Sequence, residues 1–485
     1  MLARKQTILF SILSILLFSF SAQARIKLPA LVSSNMVLQR DANINLWGKS
    51  LPNEIVALEC SWLNGMVETQ ADSTGRWKVQ VRTTKSKNKQ TIKIIDKESV
   101  VKLENILFGE VWLCSGQSNM ECTMSGYYNQ PVLGKNEALL EARNPNLRLF
   151  TVKKEAAKQP LEKLKSFEPW VEAGMESVSN FSATAYFFGE QLQKQLQVPV
   201  GLIVSAWGGS AIEPWISEEA LDDRMIQLSD YPEKTSKNRT NTLLYNAMIN
   251  PIVNYTIKGV LWYQGESNRH NPLDYAQLQQ CMVKDWRSRW QQGDFPFYYV
   301  QISPYNYNDL TAFSSYSNTA YVREQQLIAL DSIPKSGMVV TLDNGEENCI
   351  HPANKKLVAT RLLYQALNKT YGFSSIDCEG PKYTHLETQD NNLLVYFDHI
   401  ENGMYSPSGL ANFEVAGEDK VFYPAEAKFK SRKPYLVLHS DKVANPVAVR
   451  YCWSNWCVGS LYDTNGNPAS SFRSDKWDDA VRAEE

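Results

Sequence analysis

Between residues 106 and 375 the chain alternates short apolar runs with helix-like stretches, and this alternation restricts the fold more than any other feature. The runs Glu110–Cys114, Gly201–Ala206, Gly259–Tyr263, Phe297–Ile302 and Met338–Leu342 are mostly apolar, the pattern of parallel strands covered on both faces. Phe181–Leu196, Leu273–Trp290, Tyr321–Leu330 and Asn354–Leu367 read as helices between them. Such an order predicts an α/β fold with a doubly wound parallel sheet. Ligands of such sheets bind beyond the carboxyl ends of the strands, so the residues just after each strand are the first functional candidates. The stretch 123–179 fits the alternation poorly and is expected to be an insertion that shapes one wall of the site.

Both flanks are β in character. Residues 25–105 hold short β-rich runs such as Val56–Cys60, Trp77–Val81 and Thr91–Ile95, separated by turn residues, and predict an N-terminal β-sandwich. Residues 376–485 hold Leu393–Phe397, Leu436–Leu438 and Val447–Tyr451 and predict a C-terminal β domain. A length of 485 residues suits this division, at roughly 100–200 residues per domain. Residues 1–24 read as a signal peptide: Arg4 and Lys5, the apolar run Ile8–Phe20, and Ala22-Gln23-Ala24 before the cut. Export to the periplasm or the medium is expected, with no membrane span after cleavage. Lys and Arg total 50 against 52 Asp and Glu, with no basic block, so nothing in the charge asks for nucleic acid.

Eight cysteines in an exported chain permit disulfides. Cys452 and Cys457 are close enough to pair across a bend, and buried free thiols are the other reading. There is no CxxC pair and no HExxH, so neither a metal nor another cofactor is expected. Nothing assigns an oligomeric state.

Four turns carry polar groups suited to chemistry. Val111–Cys114 runs into Ser115-Gly116-Gln117-Ser118-Asn119-Met120, where Ser118 is either a nucleophile awaiting a base or a cap for the next helix. Gly201–Ala206 runs into Trp207-Gly208-Gly209-Ser210, an ordinary tight turn or one that aims a backbone N–H at an oxyanion. Gly259–Tyr263 runs into Gln264-Gly265-Glu266, where Gln264 could donate to that oxyanion and Glu266 suits a structural role better than a catalytic one. The last strand leads to Asp343–His351. Of the five histidines, His351 is the best-placed base and His270 the second; His385, His399 and His439 fall in the C-terminal β segment.

Taken together these turns resemble the sialate O-acetylesterase family of the SGNH hydrolase superfamily. The resemblance rests on GQSNM at 116–120, WGGSAIEPW at 207–215, WYQGESN at 262–268 and IHPANK at 350–355. MVLQR at 36–40 and PVAVRYCW at 446–453 extend it over most of the chain. It implies an SGNH-like sheet, Ser118 as nucleophile, His351 as base, and an oxyanion hole from the N–H groups of Ser118 and Gly208 with the Gln264 side chain. It also places Arg323 near the site, to bind a substrate carboxylate or to form a structural ion pair. The implied reaction is hydrolysis of acetyl esters on sugars through an acetyl-serine, on sialic acids or, within the same class, on xylan or other plant polysaccharides.

One departure stands out. Many SGNH enzymes carry Asp three residues before the histidine, and this chain has Asn348 there. An amide does not stabilise an imidazolium as a carboxylate does. Three readings follow: a dyad with a backbone carbonyl orienting His351, a charge supplied by Asp343, Glu346 or Glu347, or a weakened enzyme. The last grades into a function of another class, glycan binding by a disabled esterase.

Overall fold

One strand, β1 (Val100–Gly116), carries the chain from the N-terminal β segment into the centre of the molecule. The computed structural model describes residues 26–222, 236–307 and 318–482, and the expected signal peptide at 1–24 lies outside them. The central sheet continues with β2 (Asn144–Val152), β3 (Phe167–Ala173), β4 (Val200–Ala206), β5 (Gly259–Tyr263), β6 (Phe297–Val300) and β7 (Ser336–Val339). Their spatial order is β7-β6-β5-β1-β4-β2-β3. All neighbours are parallel except β3, which runs antiparallel to β2.

The helices α1 (Ala183–Leu196), α2 (Tyr275–Trp290), α3 (Ala320–Ser332) and α4 (Lys355–Lys369) cover both faces. Successive side chains of β1 point to opposite sides. Trp112 therefore joins Phe188 of α1 and Leu362 of α4 in one core, while Val111 and Leu113 join Leu278 and Trp286 of α2 in the other. Every residue of β4 and β5 is buried, as continuous apolar runs require. The helices start where capping chemistry allows: Ala185 N–H donates to Ser182 Oγ and Leu357 N–H to Asn354 Oδ1, both at 3.1 Å. Gln197 closes α1 in the left-handed region, at φ 54°. The doubly wound expectation holds, and β1 lies at its switch point, with β4 on one side and β5 on the other.

Two boundaries differ from the sequence reading. Part of the 123–179 stretch belongs to the sheet itself, since it supplies β2 and β3. Glu168, Pro169 and Glu172 interrupt the apolar residues of the largely exposed β3, and with the irregular β2–β3 register they hide the strand pattern. The division at 105/106 falls inside β1 rather than in a linker. Gln90–Ile95 pairs with the first half of β1 and β4 with the second, so the N-terminal strands extend the same sheet.

The C-terminal segment forms β sheets through Asn392–Asp398 and Tyr435–His439, and through Phe413–Ala416 and Ala448–Tyr451. Leu342, just after β7, sits in the same core as Val395, Val415 and Leu436, which joins this segment to the central sheet. None of the eight cysteines, all among the described residues, is in a disulfide; Cys457 Sγ lies 3.8 Å from the Cys452 carbonyl oxygen. No helix of the described residues is long and apolar enough to cross a membrane.

Candidate active site

The register of the sheet levels three turns with one another. Gly116 at the end of β1 stands opposite Ala206 of β4 and Tyr263 of β5. Ser118, Gly208 and Gln264 thus leave the sheet at one height. Gly116 has φ 133°, and a Cβ there would lie 2.2 Å from the Tyr263 carbonyl oxygen, so the turn needs glycine. Ser118 is half-buried and opens the single helical turn Ser118–Glu121. Its backbone N–H, at a helix start, has no acceptor within the helix.

Gly208 lies against this turn. A Cβ at 208 would sit 3.4 Å from Ser118 Cβ and 3.2 Å from Glu121 Oε2. The Gly208 N–H donates to the Glu121 carboxylate, which is also paired with Lys154 at 2.5 Å. The N–H expected to face an oxyanion is therefore placed beside Ser118 but is held by an acid.

Gln264 departs from expectation. It is fully buried, and its Nε2 donates to the Ser210 carbonyl at 3.0 Å and to Asn268 Oδ1 at 2.8 Å. Tyr275 donates to its Oε1 at 2.8 Å. Both amide hydrogens are spent, because a buried amide costs free energy unless its donors are met. Gln264 braces the β4 and β5 turns and has no N–H left for an oxyanion.

Glu266, for which the sequence favours a structural role, is enclosed between the turns. It is buried, and Asn119 Nδ2 donates to its Oε1 at 2.7 Å. The same Nδ2 reaches the Ile350 carbonyl at 3.2 Å, one residue before His351, and Lys355 donates to Asn119 Oδ1. Burial raises the Glu266 carboxyl above its usual range and pushes the Lys355 ammonium down to about 8. Asn119 and Lys355 lie within the motifs quoted above, yet their roles were not readable: each acts through partners far away in sequence.

His351 comes from the long loop between β7 and α4. Its Nδ1 lies 2.6 Å from Gln130 Oε1. Tyr127 packs beside it with the rings tilted by 55° and their centroids 5.0 Å apart, and donates its hydroxyl to the Ser118 carbonyl at 3.1 Å. Ser118 and His351 are thus brought to the same tyrosine. Burial, with Lys355 nearby, pushes the imidazole down to about 4. None of the acids considered for it holds the ring. Asp343 is taken bidentately by Arg361 at 2.7 Å, Glu346 accepts the Ala353 N–H at 2.6 Å, and Glu347 faces Asn306 at 3.4 Å. Asn348 is exposed. The group that faces the His351 ring nitrogen is a side-chain amide from the 123–179 stretch, where the sequence points to a backbone carbonyl or one of these acids.

Arg323 is enclosed by protein groups. It is 0% exposed and donates to Ser471 Oγ, Thr319 Oγ1 and the carbonyls of Cys452 and Ser454 at 2.7–3.3 Å. It clamps the C-terminal segment onto α3 and, among the described residues, is held by hydroxyls and carbonyls and not by an ion pair. His270 is half-buried after the Glu266 turn, with its imidazole lowered by burial and by Arg269 and Arg239. His385 stacks on Tyr396, His399 lies 3.7 Å from Glu379, and His439 lies 2.9 Å from Asp441, all in the C-terminal sheets.

Comparison with known proteins adds a family to this geometry. Residues 108–362 match the model of a carbohydrate esterase family described as sialic acid-specific acetylesterase. The sialate O-acetylesterase of Homo sapiens is 28% identical over 476 residues, covering 90% of this chain and 89% of that protein. That of Rattus norvegicus is 30% identical over 411 residues, covering 73% and 74%. Among solved structures, a carbohydrate acetylesterase from Xanthomonas citri aligns with a TM-score of 0.84 and 31% identity, over 93% of this chain and 100% of that one.

Proposed function

The chain belongs to the sialic acid-specific acetylesterase family of carbohydrate esterases, and we propose that it is an exported sialate O-acetylesterase working through an acetyl-serine on an SGNH-type sheet. Membership makes it an esterase of acetylated sugars; the substrate, the residue roles and export are our reading. The observation that carries the mechanism is the meeting of Ser118 and His351 at Tyr127.

Ser118 Oγ attacks the acetyl carbonyl carbon while His351 takes its proton. The oxyanion is held by the Ser118 N–H and, once Glu121 moves aside, by the Gly208 N–H. The intermediate collapses to acetyl-Ser118, and His351 returns the proton to the departing sugar hydroxyl. Water, activated by His351, then releases acetate. Gln264 serves by holding the β4 and β5 turns in place rather than by donating.

A second reading within the reaction class is an acetylesterase of xylan or another plant polysaccharide, since the Xanthomonas citri relative carries the broader description of carbohydrate acetylesterase. Hydrolysis of 4-nitrophenyl acetate by wild type and Ser118→Ala tests the nucleophile; a loss of at least about a thousand-fold is expected, and equal rates would remove Ser118 from that role. Acetate release from O-acetylated sialic acids against acetylated xylan then decides the substrate.

A further inference from the structure

Tyr127 and Gln130 stand at the two ends of one tight turn, and both reach the residues proposed to do the chemistry. The turn is closed by reciprocal backbone bonds, Tyr127 N–H to the Gln130 carbonyl and Gln130 N–H to the Tyr127 carbonyl, each 3.0 Å. Asn129 takes φ 57° inside it. Gly126, at φ 76°, leads into it, and a Cβ there would lie 2.4 Å from the Gln130 oxygen. The conformation of the turn thus sets the direction in which Gln130 leaves the backbone. Its side chain ends on His351 Nδ1.

We propose that Gln130 is the positioning residue of His351, taking the orienting place that a carboxylate holds in many SGNH enzymes. The proposal rests on the reading of Ser118 and His351 as nucleophile and base. An amide oxygen facing Nδ1 accepts only, so the proton sits on Nδ1 and the lone pair on Nε2 is left for Ser118. Elimination supports the same assignment, since Asp343, Glu346 and Glu347 all have other partners and Asn348 points to solvent. A neutral amide fixes the tautomer without stabilising the imidazolium. The groups around the ring do not supply the missing charge: Lys355 on α4 is a cation that disfavours protonation, Tyr127 is a half-buried phenol raised by desolvation, and the Cys349 thiol donates to the His351 carbonyl at 3.3 Å. Glu266 faces Asn119, on the far side of Ile350.

The test compares wild type, Gln130→Ala, Gln130→Glu and Ser118→Ala by full kcat and KM profiles from pH 3.5 to 8 on 4-nitrophenyl acetate. Freeing the ring to rotate should lower kcat about 10–100-fold in Gln130→Ala, with KM nearly unchanged. Gln130→Glu keeps the shape and adds a charge, so kcat should stay within about tenfold of wild type while the acid limb moves to higher pH. A purely structural role for Gln130 would not move that limb. Wild-type kcat and pH profile in both variants, with Ser118→Ala inactive, overturns the assignment of Gln130 and leaves Ser118 standing. Full activity of Ser118→Ala overturns the underlying reading and this proposal with it.

Discussion

Asn119 donates its side-chain amide to Glu266 at 2.7 Å, joining the turn after β1 to the turn after β5. Lys355 donates to the oxygen of the same amide, so one asparagine holds an acid and a base that are both buried. Buried charges are tolerated only when their hydrogen bonds are met.

Removing this link should therefore cost stability as well as rate. Hydrogen bonds to charged groups contribute about 1.5–3 kcal/mol each, and Asn119→Ala breaks bonds to both Glu266 and Lys355. A loss of about 3 kcal/mol is expected in urea unfolding, with an unchanged slope. An unfolding midpoint equal to that of wild type would show that water replaces the amide at no cost.

The imidazole of His351 gives a pH signature. It is half-buried, and desolvation with Lys355 nearby pushes it down to about 4, against an ordinary value near 6.5. A base fails when protonated, so kcat/KM should hold on acidification and fall only near pH 4. Stability follows the same group with its own sign. Between about 4 and about 6.5 the unfolded chain binds the proton and the folded chain does not, so His351 makes stability rise with pH across that window. An acid limb at 6.5 in the rate profile would mean that the ring is solvated or paired with an acid in solution.

Glu121 competes with the transition state. Its carboxylate sits on the Gly208 N–H beside Ser118, where an oxyanion would form. Two anions cannot share one donor, and nearby negative charge opposes the developing one. Glu121→Gln should raise kcat a few-fold, while losing the exposed pair with Lys154 should cost under about 1 kcal/mol. A fall of more than tenfold would show instead that the carboxylate assists the reaction.

What the sequence disclosed, and what it hid, follows from the range of each interaction. The runs that became β4 and β5 were legible because buried parallel strands are apolar throughout. Ser118, Gly208 and His351 were legible because each follows a strand. β3 was hidden by Glu168, Pro169 and Glu172, which interrupt its apolar residues. Gln130 was hidden because its contact with His351 spans 221 residues and its turn has no apolar pattern of its own. Gln264 sits in the predicted turn, but its contacts are set by Asn268 within its own motif together with Ser210 and Tyr275 outside it, and the motif does not say how the three share its amide.

Arg323 separates a structural reading from a binding one. Its guanidinium spreads over four acceptors from three stretches of chain: Thr319 on the approach to α3, Cys452 and Ser454, and Ser471. The planar fork suits this arrangement, and an ammonium on a flexible stem does not. Arg323→Lys leaves at least two buried acceptors unmet, at about 1–3 kcal/mol each. Unfolding by urea should register a loss of about 3 kcal/mol, and proteases should cut sooner near residues 452–471, where the clamp is released. KM for an acidic sugar ester and for a neutral one should change alike in the folded fraction. A selective rise in KM for the acidic ester, with stability intact, would return Arg323 to the substrate site.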